Sequence, residues 1–235
     1  MFSLLYKDIV LYLKQCGLIF AGILLFSSSL LIVPAEEEMT DSKGLIMLLL
    51  CVYHVITFFL IGMLEQGIYE KDENQKWQMF LSSTPLLYQG QILSKYIETL
   101  ILSATAVLWS LFYERLVLLK YDIRFSTIKV CLMLFAIQII FRAIEMPIII
   151  LLGSKYGSKC RALVSGIVLF VVFVYLLFGN IDFFVKEESI LKFIVKLLDG
   201  DKKTMLTRVS SILFCTGGVA YALSCIVALR LWKKR

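Results

Sequence analysis

The 235 residues are 60% hydrophobic and only 18% charged, with a mean hydropathy of +0.85, whereas a water-soluble domain is about half apolar and a quarter charged. A soluble globular fold would leave too much of that apolar surface in water, so the class is an all-α, polytopic membrane protein. The net charge of +6 is spread over short connections instead of one basic stripe, which argues against nucleic acid and for membrane lipid as the partner.

In chain order, the charged and aromatic stretch 2–14 reads as an interfacial amphipathic helix that lies flat before the chain turns inward. The apolar run that follows ends at Ser27-Ser28-Ser29-Leu30-Leu31-Ile32-Val33-Pro34. It is longer than the roughly 7–15-residue apolar core of a secretory signal and is expected to stay as a helix. Six transmembrane helices are predicted, at 16–33, 45–64, 96–113, 130–152, 162–179 and 209–231, all within one transmembrane domain covering 1–235. Helices are required because hydrocarbon offers no partner to an unpaired backbone group.

The connection 65–95 is charged at first and then reads Trp77-Gln78-Met79-Phe80-Leu81-Ser82-Ser83-Thr84-Pro85, a short amphipathic helix followed by a proline break. The connection 180–208 carries an apolar stripe, Ile190, Leu191, Ile194, Val195, Leu197 and Leu198, opposite Lys186, Lys192 and Lys196. It fits a helix on the outer surface or a short re-entrant one. The cations divide twelve against eleven between the two sides, which decides nothing. The chain ends are more telling, with Lys7 and Lys14 before the first span, Glu36-Glu37-Glu38 after it, and the tail Trp232-Lys233-Lys234-Arg235. They favour cytoplasmic termini in a bacterial cell membrane. The six cysteines form no CxxC pair and read as small buried hydrophobes.

The run from Glu65-Gln66-Gly67 through Glu70-Lys71-Asp72 to Trp77 and Ser82-Ser83-Thr84-Pro85, followed by Ser94-Lys95-Tyr96, resembles the first cytoplasmic loop of type-2 ABC (ATP-binding cassette) transporter permeases. Met146-Pro147, the apolar run after it and Gly153-Ser154-Lys155 are similar to the end of that family's fourth span. The resemblance implies a permease that works as a homodimer or as a heterodimer with a second permease. It also implies cytoplasmic ATPase subunits that bind the ATP, so that this chain is no enzyme, has no catalytic residue and holds no cofactor. Export of an amphipathic peptide, bacteriocin-like or similarly hydrophobic, is the implied activity, and a non-transporting immunity or sensor protein is the alternative. Glu70, Asp72, Lys76, Trp77, Met79 and Phe80 would form the coupling helix that docks on the ATPase, since aromatic anchors on a charged background suit a soluble partner's groove. On another reading these aromatics simply rest at the lipid interface.

Gln138, Arg142 and Glu145 share one face of the fourth span. Charges there face protein or water and pair with each other, which leaves two readings, a patch on the substrate path or a neutralised pair that steadies packing. His54 stands alone in the second span without a metal-ligand pattern, and no metal is expected; it reads as a hydrogen-bonded interior residue. Gly153-Ser154-Lys155-Tyr156-Gly157-Ser158-Lys159 lacks the spacing of a phosphate-binding loop and reads as a basic hairpin. Gly217-Gly218 with Ala220 and Ala222 permits close helix approach.

Overall fold

The computed structural model describes residues 40–74, 88–121, 126–178, 198 and 203–233. Among them the chain is helical and forms no strand. The five long helices among these residues are α1 (Thr40–Asn74), α2 (Tyr88–Tyr121), α3 (Ile128–Leu152), α4 (Ser154–Phe178) and α5 (Lys203–Lys233). Each contains a stretch long and apolar enough to cross a bilayer, at Gly44–Glu65, Ile92–Tyr121, Ile128–Leu152, Ser154–Tyr175 and Thr204–Leu231. The predicted first span and the amphipathic segment before it lie outside the described residues, as does most of 180–208.

The helices run past their predicted spans, α1 and α5 (Thr40–Asn74 and Lys203–Lys233 against 45–64 and 209–231) as well as α2 and α4. Helix α2 starts soon after Pro85 and meets no proline as far as Tyr121, so it exceeds the 96–113 span at both ends. Helix α4 begins at Ser154 and not near 162, because the basic hairpin is a single residue wide. Gly153 sits at φ 99, ψ 165, a conformation that suits glycine. Its N–H closes the end of α3 on the Ile149 carbonyl at 2.9 Å, and its own carbonyl accepts the first bond of α4 from the Gly157 N–H at 3.2 Å. Residues 154–159 are therefore a helix, with no open loop to cradle a phosphate.

Helix α3 is the hub and touches each of the other four. Its broadest partner is α5, which approaches closely because a Cβ on Gly217 would lie 3.2 Å from the Ala136 carbonyl oxygen. Ala220 packs on the core these helices share, whereas Gly218 faces open space and Ala222 is exposed. Ile139, Ala143, Met146 and Ile149 of α3 pack with Ile92 and Tyr96 of α2 and with Tyr221 and Ala228 of α5. Toward the other end, Leu50 and Tyr53 of α1 pack with Tyr113 and Val117 of α2. The outer surface is apolar, with Phe59, Leu108, Leu119, Leu163, Phe170 and Ile212 all turned outward, the surface lipid requires.

Pro147 inside α3 has no N–H, so the Ala143 carbonyl loses its helical partner. A hydroxyl from another helix takes its place. Ser224 Oγ of α5 donates to the Ala143 oxygen at 2.6 Å. With that proton committed, Tyr96 Oη donates to Ser224 Oγ at 2.8 Å, and Tyr221 Oη donates to the Tyr96 carbonyl at 2.8 Å. Ser224→Ala is expected to cost about 1–2 kcal/mol by orphaning a buried acceptor. In a Pro147→Ala background the restored N–H should serve Ala143, and the same serine change should cost markedly less. Chemical denaturation in detergent reads both values, and equal costs in the two backgrounds would remove proline compensation as the reason for this bond.

Candidate functional site

The Gly153 corner dictates what meets what at one end of the bundle. The first two turns of α4 run back along the last two of α3, so residues equally far from the corner face each other. Gly157, four residues after it, lies against Ile149, four before, and a Cβ on Gly157 would overlap Ile149 Cγ1. Arg161, eight after, meets Glu145, eight before, donating to its Oε2 from Nη2 at 2.7 Å and from Nε at 3.1 Å.

Arg142, one turn before Glu145, donates to the same Oε2 from Nη1 at 2.8 Å. Its other amino group is ion-paired with Glu65 of α1 and donates to the Gly62 carbonyl at 2.8 Å. Arg161 also reaches Gly62 O, at 3.3 Å. Two carboxylates and two guanidiniums thus tie α1, α3 and α4 together with zero formal charge, around a main-chain oxygen of α1. Arg142, Glu145 and Glu65 are buried, and Arg161 is partly exposed at 23% of its side chain. Burial in an apolar bundle costs each ion several kcal/mol, which only good geometry and mutual pairing offset. The Oε1 of Glu145 has no hydrogen-bond partner among the described residues.

Arg142 and Glu145 pair as their spacing predicts, but as half of a larger cluster. Glu65, read from sequence as the first residue of a loop, is fully buried in α1, and Arg161, read as a loop cation, is a member of α4. Gln138 does not join the cluster. Its amide oxygen and nitrogen are buried without partners among the described residues. Glu70 and Asp72 lie on α1 itself, so the helix runs without interruption from the second span to Asn74. Lys76, Trp77, Met79 and Phe80 lie outside the described residues. No group of three metal-ligating side chains occurs among the described residues. His54 bonds to Thr127 at 2.7 Å, as expected of an interior histidine.

A multi-pass helical bundle with a balanced charge cluster buried between three of its helices is a membrane-embedded protein. The family model described as ABC-2 family transporter protein matches residues 3–233, and the chain belongs to that family. It is accordingly a permease, the transport subunit of a system whose members normally work with an ATPase subunit. No curated protein and no solved structure matches it.

Proposed function

We propose that this chain is the permease subunit of an ATP-driven exporter that moves an amphipathic peptide, bacteriocin-like or similarly hydrophobic, outward across a bacterial cell membrane. The observation that carries the reading is that α1 is one 35-residue helix from Thr40 to Asn74, pinned through Glu65 to Arg142. The chain continues directly from it into the segment at 76–80. A partner ATPase that docks on Glu70, Asp72, Lys76, Trp77, Met79 and Phe80 would push on the end of α1. A continuous helix carries that push to Glu65, and the charge cluster passes it to α3 and α4.

Gln138, Arg142 and Glu145 line the cargo route in this scheme. Gln138 supplies an amide with no partner among the described residues, and the two charges are closed off from solvent in this conformation, so the route opens only when α1 and α3 move apart. Two such permeases, alike or different, would enclose the route between them. The ATP is held by the partner. Co-purification of the tagged chain from its native membrane tests the reading. An ATPase that comes down with it, and whose hydrolysis rises on reconstitution, is expected; a permease that never retains one would leave the immunity or sensor role.

Both termini are placed in the cytoplasm, with the Gly153 corner on that same side. Lys155 is exposed and suits a reporter cysteine, whereas Gly157 is packed on Ile149 and does not. In a background lacking the native cysteines, Lys155→Cys should resist an impermeant maleimide applied to intact cells, and Glu38→Cys should react. The opposite pattern inverts the orientation.

A further inference from the structure

Helix α4 carries a two-part outer face that the transport scheme does not use. Only 6% of its apolar stretch is buried inside the bundle, against 22% for α5, the next least covered of the five. Its first two turns direct Lys155, Tyr156 and Lys159 outward, and the same face goes on as Leu163, Gly166 and Phe170. A Cβ on Gly166 would meet nothing within 4 Å, so the glycine leaves a notch between the two large side chains one turn away on either side. The helix contains no acidic residue. Lys155 and Lys159 are one turn apart, and among the described residues neither is in an ion pair. Lys159 Nζ lies over the Tyr156 ring, 5.8 Å from its centroid.

We infer that this face binds one anionic phospholipid, with its phosphate between Lys155 and Lys159 and an acyl chain laid along Leu163, Gly166 and Phe170. The polarity of the face is that of such a lipid, charged at one end and apolar along the rest. Lysines at a membrane surface attract anionic headgroups, and a tyrosine sits well at headgroup level. From Lys159 to Phe170 the helix rises roughly 16 Å, which matches one leaflet of a hydrocarbon core about 30 Å thick. Either orientation of the bundle places these first turns at a bilayer boundary.

A second copy of the chain is the poorer occupant. Two chains related by a twofold axis along the membrane normal present the same surface to each other at the same depth. Contact between their α4 helices would set Lys155 and Lys159 against their own counterparts, with no acid on either helix to offset the repulsion. A free phosphate needs the lysines alone and has no use for the apolar length and its notch. The lipid lies back to back with the charge cluster, because the inner side of the same two turns holds Gly157 on Ile149 and Arg161 on Glu145.

Quenching by nitroxide-labelled lipids tests the site in the full chain, held in phosphatidylcholine nanodiscs with a minor fraction of phosphatidylglycerol. In a background lacking the native cysteines, bimane is attached at Leu163→Cys or, as the reference, at Leu223→Cys of α5. Both side chains are exposed, 62% and 56%. They lie at one depth, since Arg161 meets Glu145 and Ser224 meets Ala143 one turn away on α3. Nitroxide phosphatidylglycerol is expected to quench the probe at 163 at a mole fraction at least about fivefold below that of nitroxide phosphatidylcholine, each lysine near the surface contributing roughly that factor. Lys155→Gln with Lys159→Gln should erase this preference, and Lys155→Arg with Lys159→Arg should keep it. The probe at 223, whose own face carries the exposed Arg230, should respond alike in all three chains. The proposal is overturned by a probe at 163 that does not prefer phosphatidylglycerol, or by a preference that survives the glutamine pair. Shielding of that probe from both lipids also overturns it, since a second copy or the predicted first span would then cover the face.

Discussion

Arg142→Gln alone is expected to prevent stable assembly of the membrane domain. The change leaves Glu65 without its guanidinium and removes one of the donors to Glu145 Oε2. Breaking a buried pair from one side typically costs about 3–5 kcal/mol, because the surviving charge stays in a low-dielectric setting. The geometry also says which second change rescues it. Glu65→Gln with Arg142→Gln removes one charge of each sign and leaves Glu145 with Arg161, already in contact at 2.7 Å. Arg142→Gln with Glu145→Gln is equally balanced in charge but removes the carboxylate that Arg161 engages through both Nε and Nη2. The first double variant should recover most of the lost stability and the second less of it, as read by fluorescence-detected gel filtration after heating. Equal recovery would mean that net charge, and not the pairing seen here, governs the cluster. Export then separates the remaining roles. A double variant that assembles and retains its ATPase but exports poorly has lost a working part, while full export would reduce the cluster to packing.

The five described spans were legible in the sequence because a membrane helix announces itself by length and hydropathy alone. The pair Arg142 and Glu145 was legible for a similar reason, since a spacing of three places them on one helical face. Glu65 and Arg161 were not, although both are visible as charges at the edges of apolar runs. Arg161 depends on the one-residue turn at Gly153, which sets residues eight before and eight after it face to face, and Glu65 on the packing of α1 against α3. A glycine between two apolar runs gives no sign of whether it is a loop residue or the whole loop. The bond from Ser224 to Ala143 was recoverable in part, because Pro147 inside a span guarantees an orphaned carbonyl at position 143. What the sequence does not contain is which of the available hydroxyls on α5 answers it. Glu114 fell just beyond the predicted 96–113 span, so nothing marked it as buried or as the acceptor of the Thr127 N–H and hydroxyl.

Replacing Trp77 and Phe80 together by alanine should release the ATPase while leaving the membrane domain folded. The expectation follows from where these residues stand. Helix α1 delivers the chain as far as Asn74, and 76–80 is the next stretch, rich in large side chains on a charged background. An aromatic anchor buried at a protein interface is worth about 2 kcal/mol or more on truncation. Loss of two such anchors amounts to about 4 kcal/mol, or roughly a thousandfold in affinity. The comparison that gives the result meaning is the variant with Glu65→Gln and Arg142→Gln. It touches only the interior junction, so it should hold the ATPase at wild-type affinity and fail at the later step of moving α3 and α4. The probe is the ATPase that co-purifies with the unmodified chain, titrated against each variant in nanodiscs. Should the alanine pair bind it as tightly as the wild type, the aromatics belong to the lipid interface. The contact would then have to be sought on the other cytoplasmic surface the scheme provides, the Gly153 corner with its exposed Lys155 and Lys159.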